Sequence, residues 1–301
     1  MSENHIMLLG AQGQVGQALQ HEKLPADWQL HCHGRAELDI TDHGGVKTAL
    51  QRVRPALVIN AAAVTAVDKA ESDHREAVAV NFEGVANLAA QCAALDIPLI
   101  HLSTDYVFDG RDGNVPYTTE NKMNPLSVYG QTKMMGEESI RHEHAWHVIL
   151  RVSAVFSSFG KNILTNILKM IDERDELKFV IDQQACPTYA PDIAKALINI
   201  AEKIMGGKSN GFGLFHYCGS PETTRYEFVQ EIMQTYMPYT QRRPKILPAK
   251  STDFTGLAER PGYSVLDCSK IRDIYGIEQR PWREGLIEAM SLLMRDRRQV
   301  V

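Results

Sequence analysis

Tyr129 and Lys133 stand four residues apart in the stretch L-S-V-Y-G-Q-T-K-M-M-G-E-E that runs from Leu126 to Glu138, with Pro125 and Ser127 just before them. In a helix that spacing stacks the two side chains on one face, one turn apart. An ammonium held beside a phenol favours the phenolate and draws the tyrosine pKa from about 10 toward neutrality. A tyrosine tuned in that way gives a proton to a carbonyl oxygen or takes one from an alcohol. The pair alone is also what an exposed helix with an ordinary Tyr and Lys would present. Chemistry requires other elements to bring a cofactor and a substrate to it.

The first of those elements is at the N-terminus. Ile6 to Leu9 reads as a short apolar strand ending at Gly10, followed by A-Q-G-Q-V-G and a helical pattern through Val15 and Leu19. The run Gly10-x-x-Gly13-x-x-Gly16 thus falls at a strand–helix junction. There it allows close backbone approach, so that a diphosphate rests on the free N–H groups of the helix start. A merely structural glycine turn is the plainer alternative, and dinucleotide binding is the favoured one.

Trp28 to His33 reads as a second strand, running into Gly34 and Arg35 with no carboxylate before Glu37. An acid at that point would hold the ribose hydroxyls of NADH, whereas an arginine accommodates the 2′-phosphate of NADPH. Arg35 therefore points to NADPH, with NADH still open, and an exposed loop arginine is the competing reading. Asp39 and Ile40 follow and could line an adenine site. Leu57-Val58-Ile59 is a third strand, turning through Asn60 to Thr65. One long helix is expected over residues 72–95, and Pro98 to Leu102 is a fourth strand.

That fourth strand runs into Ser103-Thr104-Asp105-Tyr106. In an open parallel sheet, ligands gather at the carboxyl ends of strands near the point where strand order reverses. The Ser103 and Thr104 hydroxyls are expected there, bonding a substrate oxygen and the Tyr129 hydroxyl. Strand-end capping is the ordinary alternative for the two taken alone.

Strand and helix alternate in this way through Val148-Ile149-Leu150, which is the pattern of an α/β fold with a doubly wound parallel sheet. Continuous apolar strands such as Leu57-Val58-Ile59 fit burial on both faces. Beyond Arg151 the pattern loosens. Helices are expected over 163–171, 193–204, 226–236 and 283–294, with a strand over 214–217 and a Pro- and Arg-rich piece over 241–250.

Composition narrows the partners. The 301 residues carry a net charge of −5, so no basic field draws nucleic acid or an anionic membrane. Five dispersed cysteines (Cys32, Cys92, Cys186, Cys218, Cys268) without a Cys-x-x-Cys pair read as reduced thiols of a cytoplasmic protein. The start lacks a basic n-region, so no signal peptide is expected, and no apolar run reaches the roughly 18 residues of a membrane span. His142, His144 and His147 match no zinc spacing and read as a surface run, so no metal is expected. His31 and His33 read as structural or near the adenosine. Arg242, Arg243, Lys245 and Lys250 read as a solvated basic face. Arg260 stands apart from them as a guanidinium for an anionic small-molecule ligand.

Taken in order, several long motifs resemble one family: the extended short-chain dehydrogenase/reductases, and within them the dTDP-4-dehydrorhamnose reductases. The motifs are G-A-Q-G-Q-V-G, R-A-E-L-D-I-T-D, N-A-A-A-V-T-A-V-D-K-A-E, S-T-D-Y-V-F-D-G, N-P-L-S-V-Y-G-Q-T-K-M-M-G-E and, from Arg260, R-P-x-x-S-x-L-D. The resemblance spans nearly the whole chain. It implies a Rossmann-like fold with a smaller, interleaved C-terminal α/β substrate lobe. The expected division is 1–153 for the NAD(P)-binding domain, with a return segment near 185–217, and 154–184 with 218–301 for the substrate lobe. The implied reaction is NADPH-dependent reduction of the 4-keto group of a dTDP-linked 6-deoxy-hexulose; the residues leave the oligomeric state open, a homodimer among the options.

Position by position, the resemblance makes Tyr129 the proton donor. Lys133 would lower its pKa and hold the nicotinamide ribose, and Thr104 would tune the tyrosine and bond the sugar oxygen. Asp105 and Tyr106 would lie in the substrate site with Arg260. Gly13, Gln14 and Val15 would contact the diphosphate, beside Gly10 and Gln12 of the same turn. Asp39 and Ile40 would contact the adenosine, and Ala63, Val64 and Thr65 the rest of the cofactor, beside Ala61 and Ala62. Two positions depart from the family. Ala154 replaces the tryptophan of the strand-end motif R-T-S-W-V-Y, and Tyr263 stands where an asparagine is common. The first motivates an alternative, a reductase for a different nucleotide-linked keto sugar. A second alternative is a non-catalytic NADP-binding regulatory subunit, like the β subunit of methionine adenosyltransferase.

Overall fold

A computed structural model describes residues 4–254 and 258–299, apart from 112 and 114. Its centre is a sheet of six parallel strands: β1 (Asn4–Leu9), β2 (Trp28–His33), β3 (Leu57–Asn60), β4 (Leu99–Thr104), β5 (His147–Val152) and β6 (Gly213–Tyr217). Their order is β2-β1-β3-β4-β5-β6. The chain lays β2 on one side of β1 and then crosses to put β3 on the other. The carboxyl ends of β1 and β3 therefore flank the reversal point where ligands bind in such sheets.

The principal helices are α1 (Gln14–His21), α2 (His43–Val53), α3 (Gly84–Ala94), α4 (Val128–Glu143), α5 (Ile163–Glu173), α6 (Ala190–Met205), α7 (Arg225–Tyr236) and α8 (Trp282–Gln299). Side chains alternate across a strand, so each strand feeds two cores. Ile6, Leu8, Ile59, Ile100 and Leu150 pack with Val15 and Leu19 of α1 and with Ile193, Leu197 and Ile200 of α6. Met7, Leu9, Val58, Leu99 and Ile149 pack on the other face with Leu50 of α2, Leu88 of α3 and Ile140 of α4. The alternating pattern and the doubly wound sheet agree.

The helix expected over 72–95 is not continuous. Two short helices (Val67–Ser72 and His74–Val78) and a wide turn over Ala79–Glu83 precede α3. The widened turn has a local use, as such bulges often do. Buried Asn81 accepts from Val64 N at 2.9 Å and donates to Val64 O at 3.0 Å and to Thr132 Oγ1 at 3.2 Å. One side chain thereby ties the loop after β3 to α4.

A third apolar cluster lies apart from the sheet. Phe156, Leu164 and Ile167 meet Phe228 and Ile232 of α7 and Trp282 and Leu286 of α8. Residues Lys245–Ala249, inside the Pro- and Arg-rich piece, form a parallel strand against Glu176–Val180. Pro248 hid that strand in the sequence, and it is tolerated because a two-stranded ribbon is all edge. Among the described residues, no helix is long and apolar enough to cross a membrane.

Candidate active site

The glycine turn lies at the reversal point. Gly10 has φ +75°, and a Cβ there would fall 2.4 Å from Ala62 N in the loop after β3, so only glycine lets the two loops touch. Gly13 caps α1 without any side-chain hydrogen bond, which leaves the first N–H groups of the helix facing outward. Gln14 reaches from that first turn to Ser157, whose Oγ donates to its Oε1 at 2.9 Å. A diphosphate fits this cradle, and Val15 behind it is buried.

The adenosine end is more heavily committed than the sequence suggests. Arg35 is exposed and pairs with Asp39 at 3.2 Å and Glu76 at 2.7 Å. Asp39 Oδ1 accepts from Thr41 N at 2.9 Å and Thr41 Oγ1 at 2.8 Å, while Ile40 is buried in the core under α2. A 2′-phosphate would have to compete for Arg35 with two carboxylates. Exposed pairs of this kind are worth about 1 kcal/mol or less, so exchange of partner is inexpensive.

α4 starts where Ser127 accepts a hydrogen bond from Gly130 N at 3.2 Å, a side-chain cap that fixes the register of the helix. At Gly130 a Cβ would fall 2.3 Å from Tyr106 O, so glycine brings the helix against the turn after β4. That approach places the Tyr129 ring edge-on to Tyr106, with centroids 5.9 Å apart. It also sets the phenol beside Thr104, whose hydroxyl hydrogen-bonds it. Thr104 Oγ1 in turn donates to Asp105 Oδ1 at 3.1 Å. Buried Asp105 also accepts from Ser153 Oγ at 2.8 Å and Ser264 Oγ at 2.6 Å. Burial raises the Asp105 pKa against those three hydroxyl bonds.

The expected ammonium beside the phenol is not what the structure holds. Lys133 Nζ is 3.0 Å from His101 Nε2 and donates to Leu102 O at 2.6 Å. Burial pushes the Tyr129 pKa up, the Thr104 bond opposes it, and Asp105 and Tyr106 add to the rise. Lys133 is depressed to about 8 by burial, with Glu137 opposing. Tertiary packing thus overrides the helical spacing: both residues lie on one face, but the lysine extends under β4 instead of toward the hydroxyl.

Ser103 is a second correction. Side chains alternate on β4, so Thr104 faces the tyrosine and Ser103 the opposite face. Its Oγ donates at 2.5 Å to Glu137, whose carboxylate is bridged by Arg151 at 2.6 Å. That pair is wholly buried, with Arg151 also 5.0 Å from the Phe108 ring and 3.3 Å from His216 Nε2.

A cleft of about 450 Å³ opens beside Tyr106, between the sheet edge and the third apolar cluster. It gathers Thr65, Asp105, Tyr106, Ala154 and Arg260 from the sequence reading. Arg260 is there but committed, holding Asp68 at 2.8 Å and Ala258 O at 3.0 Å. Ala154 lines the cleft at φ +41°, in the left-handed region that side chains other than glycine seldom adopt. Arg225, at the start of α7, and Gln183 also line it, and no motif announced either.

The histidine run near the end of α4 is not a surface feature throughout. His144 and His147 are buried and bonded to the carbonyls of Ile97 and His144, whereas His142 is exposed. His101, Glu137 and Arg151 escaped notice in the sequence. The available signal was a histidine inside the otherwise apolar run Leu99-Ile100-His101-Leu102.

A parallel sheet with a glycine turn at its reversal point, and a Tyr–Lys helix at its carboxyl edge, is the architecture of a Rossmann-like α/β protein. Residues 4–294 match the family model of the RmlD substrate binding domain, and the chain belongs to that family. It is similar to a dTDP-4-dehydrorhamnose reductase of Sinorhizobium fredii, with 38% identity over 93% of this chain and 94% of that one. Among solved structures, a dTDP-4-dehydrorhamnose reductase of Clostridium acetobutylicum superposes with a TM-score of 0.88 at 31% identity, covering 96% and 99% of the two chains. The enzyme of the same name from Bacillus anthracis, solved in complex with NADP, gives 0.86 at 29% identity and the same coverage.

Proposed function

We propose that this protein is an NADPH-dependent oxidoreductase that reduces the 4-keto group of dTDP-4-dehydrorhamnose, forming dTDP-L-rhamnose for polysaccharide biosynthesis. The observation that carries the reading is the convergence of Thr104, Tyr129 and the cleft beside Tyr106 on the sheet edge that bears the glycine turn. When bound, NADPH supplies the hydride that reduces the carbonyl carbon. The Gly10–Gly16 turn holds its diphosphate and the loop from Ala61 to Thr65 lies beside it, with Arg35 available to a 2′-phosphate.

The Tyr129 phenol gives its proton to the carbonyl oxygen as charge develops there. An alkoxide is a far stronger base than a phenolate, so the transfer runs downhill even from a tyrosine whose pKa is raised. The raised pKa keeps the phenol protonated, as a reducing enzyme requires. By turning its one proton from Asp105 to the tyrosinate left behind, Thr104 Oγ1 stabilises that charge. Asp105 orients Thr104, and the two serines orient Asp105.

The division into a nucleotide lobe (1–153 with 185–217) and a substrate lobe (154–184 and 218–301) forms part of the proposal. It is supported by β6 returning to the sheet and by the separate cluster around Phe156 and Trp282. Five free cysteines, four of them buried, go with a cytoplasmic location.

The decisive test follows NADPH absorbance with dTDP-4-dehydrorhamnose and a panel of other nucleotide-linked 4-keto sugars. Turnover fastest with dTDP-4-dehydrorhamnose is the expected result. Preference for another sugar would assign the open wall at Ala154 to a different substrate. No oxidation with any keto sugar would sink the reductase reading in favour of a regulatory subunit.

A further inference from the structure

Among the described residues, four charged side chains line the cleft: Asp68, Asp105, Arg225 and Arg260. Three of them already have partners. Asp105 is held by the hydroxyls of Thr104, Ser153 and Ser264. Arg260 reaches both oxygens of Asp68 through Nη2, at 2.9 and 2.8 Å, and its Nη1 donates to Ala258 O at 3.0 Å. Asp68 Oδ1 also accepts from Ala258 N at 3.0 Å, so that ring of bonds closes on itself. The half-buried Arg225 is the exception: among the described residues, its guanidinium has no carboxylate or carbonyl against it.

Local pairing brings this cation to the cleft. The short strand Gln184–Ala185 pairs antiparallel with Thr223–Thr224 on one side. On its other side Gln184 N donates to Gly262 O at 2.8 Å, and Ser264 N donates to Gln184 O at 2.9 Å. Arg225 and Arg260 therefore approach from opposite sides of one strand. Neighbouring strands lie about 4.8 Å apart, which sets Thr224 about 10 Å from the Ser264 segment that bonds Asp105. Arg225 is the first residue of α7. Its N donates to Gln183 O at 3.4 Å, and Glu227 N donates to Thr224 Oγ1 at 3.1 Å. The helix end is thus largely satisfied by the protein, and the guanidinium is the group left for a ligand. Phe228, one turn on and on the same helix face, is buried and lines the cleft beside it.

A guanidinium stays charged at any working pH, and its planar fork matches phosphate oxygens. In a nucleotide sugar the diphosphate is attached at C1 of the hexose, across the ring from the C4 carbonyl. It must therefore lie a ring's width from Tyr129 and not beside it, which is the place that Arg225 holds. We propose that Arg225 is the binding residue that receives the diphosphate of the nucleotide-linked substrate. Arg260 keeps its bonds to Asp68 and ties the segment 258–261 to the helix Val67–Ser72. The identity of the ligand rests on the reading of the protein as a nucleotide-sugar reductase.

The test is calorimetric binding of dTDP to the full chain and to its Arg225→Met and Arg225→Lys variants. dTDP carries the diphosphate and no reducible sugar, so binding is read without turnover. Arg225→Met is expected to weaken dTDP binding by about 10–100-fold, the loss of a charge-assisted hydrogen bond. Arg225→Lys keeps the charge and gives up the fork, so it should fall between the two. NADPH affinity and the urea midpoint should stay put, since no residue of the Gly10–Gly16 turn lines the cleft with Arg225. With dTDP-4-dehydrorhamnose, KM should rise by a similar factor while kcat holds, because the diphosphate is bound alike in the ground and transition states.

Unchanged dTDP affinity in Arg225→Met would overturn the proposal. So would a loss of NADPH affinity or of the urea midpoint alongside it, which would make Arg225 a structural residue, and so would a fall in kcat at constant KM. If Arg225→Met does not fold, Arg225→Gln decides in the same way. A wild type that binds dTDP through Arg225 yet reduces no keto sugar would sink the reductase reading alone. Turnover together with full dTDP affinity in Arg225→Met would sink the assignment of Arg225 alone, and a wild type that binds no dTDP would sink both.

Discussion

The two sides of the β4 carboxyl end are built from neighbouring residues and do opposite work. On one side Thr104 and Asp105 join Tyr129 and the cleft in a hydroxyl-rich cluster: Thr104, Ser153 and Ser264 all donate to one carboxylate. On the other, His101 and Ser103 sink into a buried network with Lys133, Glu137 and Arg151. The first side presents groups to a ligand. The second bonds its members to one another. Helix α4 touches both, with Tyr129 on the open side and Glu137 on the closed one, so the position of the phenol depends on a network that does not line the cleft.

Substitutions should separate the two sides, with turnover responding on the open side and stability on the closed one. The largest effect expected is that of Tyr129→Phe, which removes the transferred proton. It should lower kcat by about 10²–10⁴-fold while leaving the denaturation midpoint and NADPH affinity nearly unchanged. A variant that turns over normally would move the acid elsewhere.

Next in size is Arg151→Met, which leaves Glu137 buried and unpaired. Breaking such a pair costs about 3–5 kcal/mol, read from urea unfolding. A loss below about 1 kcal/mol would mean that the closed side is not what holds α4. Thr104→Val keeps the shape and removes the hydroxyl. A lost hydrogen bond of about 1–2 kcal/mol corresponds to roughly a tenfold drop in kcat with little change in stability. The reverse pattern would make Thr104 a structural cap.

The smallest effect concerns pH. Lys133 is depressed to about 8 in the folded protein, while an unfolded lysine titrates at about 10.4. Between those values the unfolded chain binds more protons, so stability should rise as pH climbs through that window. Unfolding curves of wild type and Lys133→Met across that range test this. The rise should be present in the first and missing from the second, and parallel curves would refute a buried, depressed lysine.

Much of this was legible in the residues themselves. The glycine turn, six of the strands and the start of α4 follow from apolar runs, from Gly10 and from the Ser127 cap, all of which are local signals. The break at Ala79–Glu83 was hidden, because a widened turn keeps the composition of a helix. The ribbon of Glu176–Val180 with Lys245–Ala249 was hidden too, since its partners are far apart in sequence and one contains a proline.

At the candidate site, sequence determined which chemical groups are present and which elements carry them. Tyr129 and Lys133 share a helix face because 3.6 residues make a turn, and Thr104 ends a strand because its apolar run ends there. Tertiary structure alone decided what each group touches. The lysine that spacing sets beside the tyrosine belongs instead to His101, a residue 32 positions away. Asn60 meets that histidine from 41 positions away in the chain. Helical and strand periodicities fix directions within one element, whereas hydrogen-bond partners and burial, which set protonation, come from packing between elements.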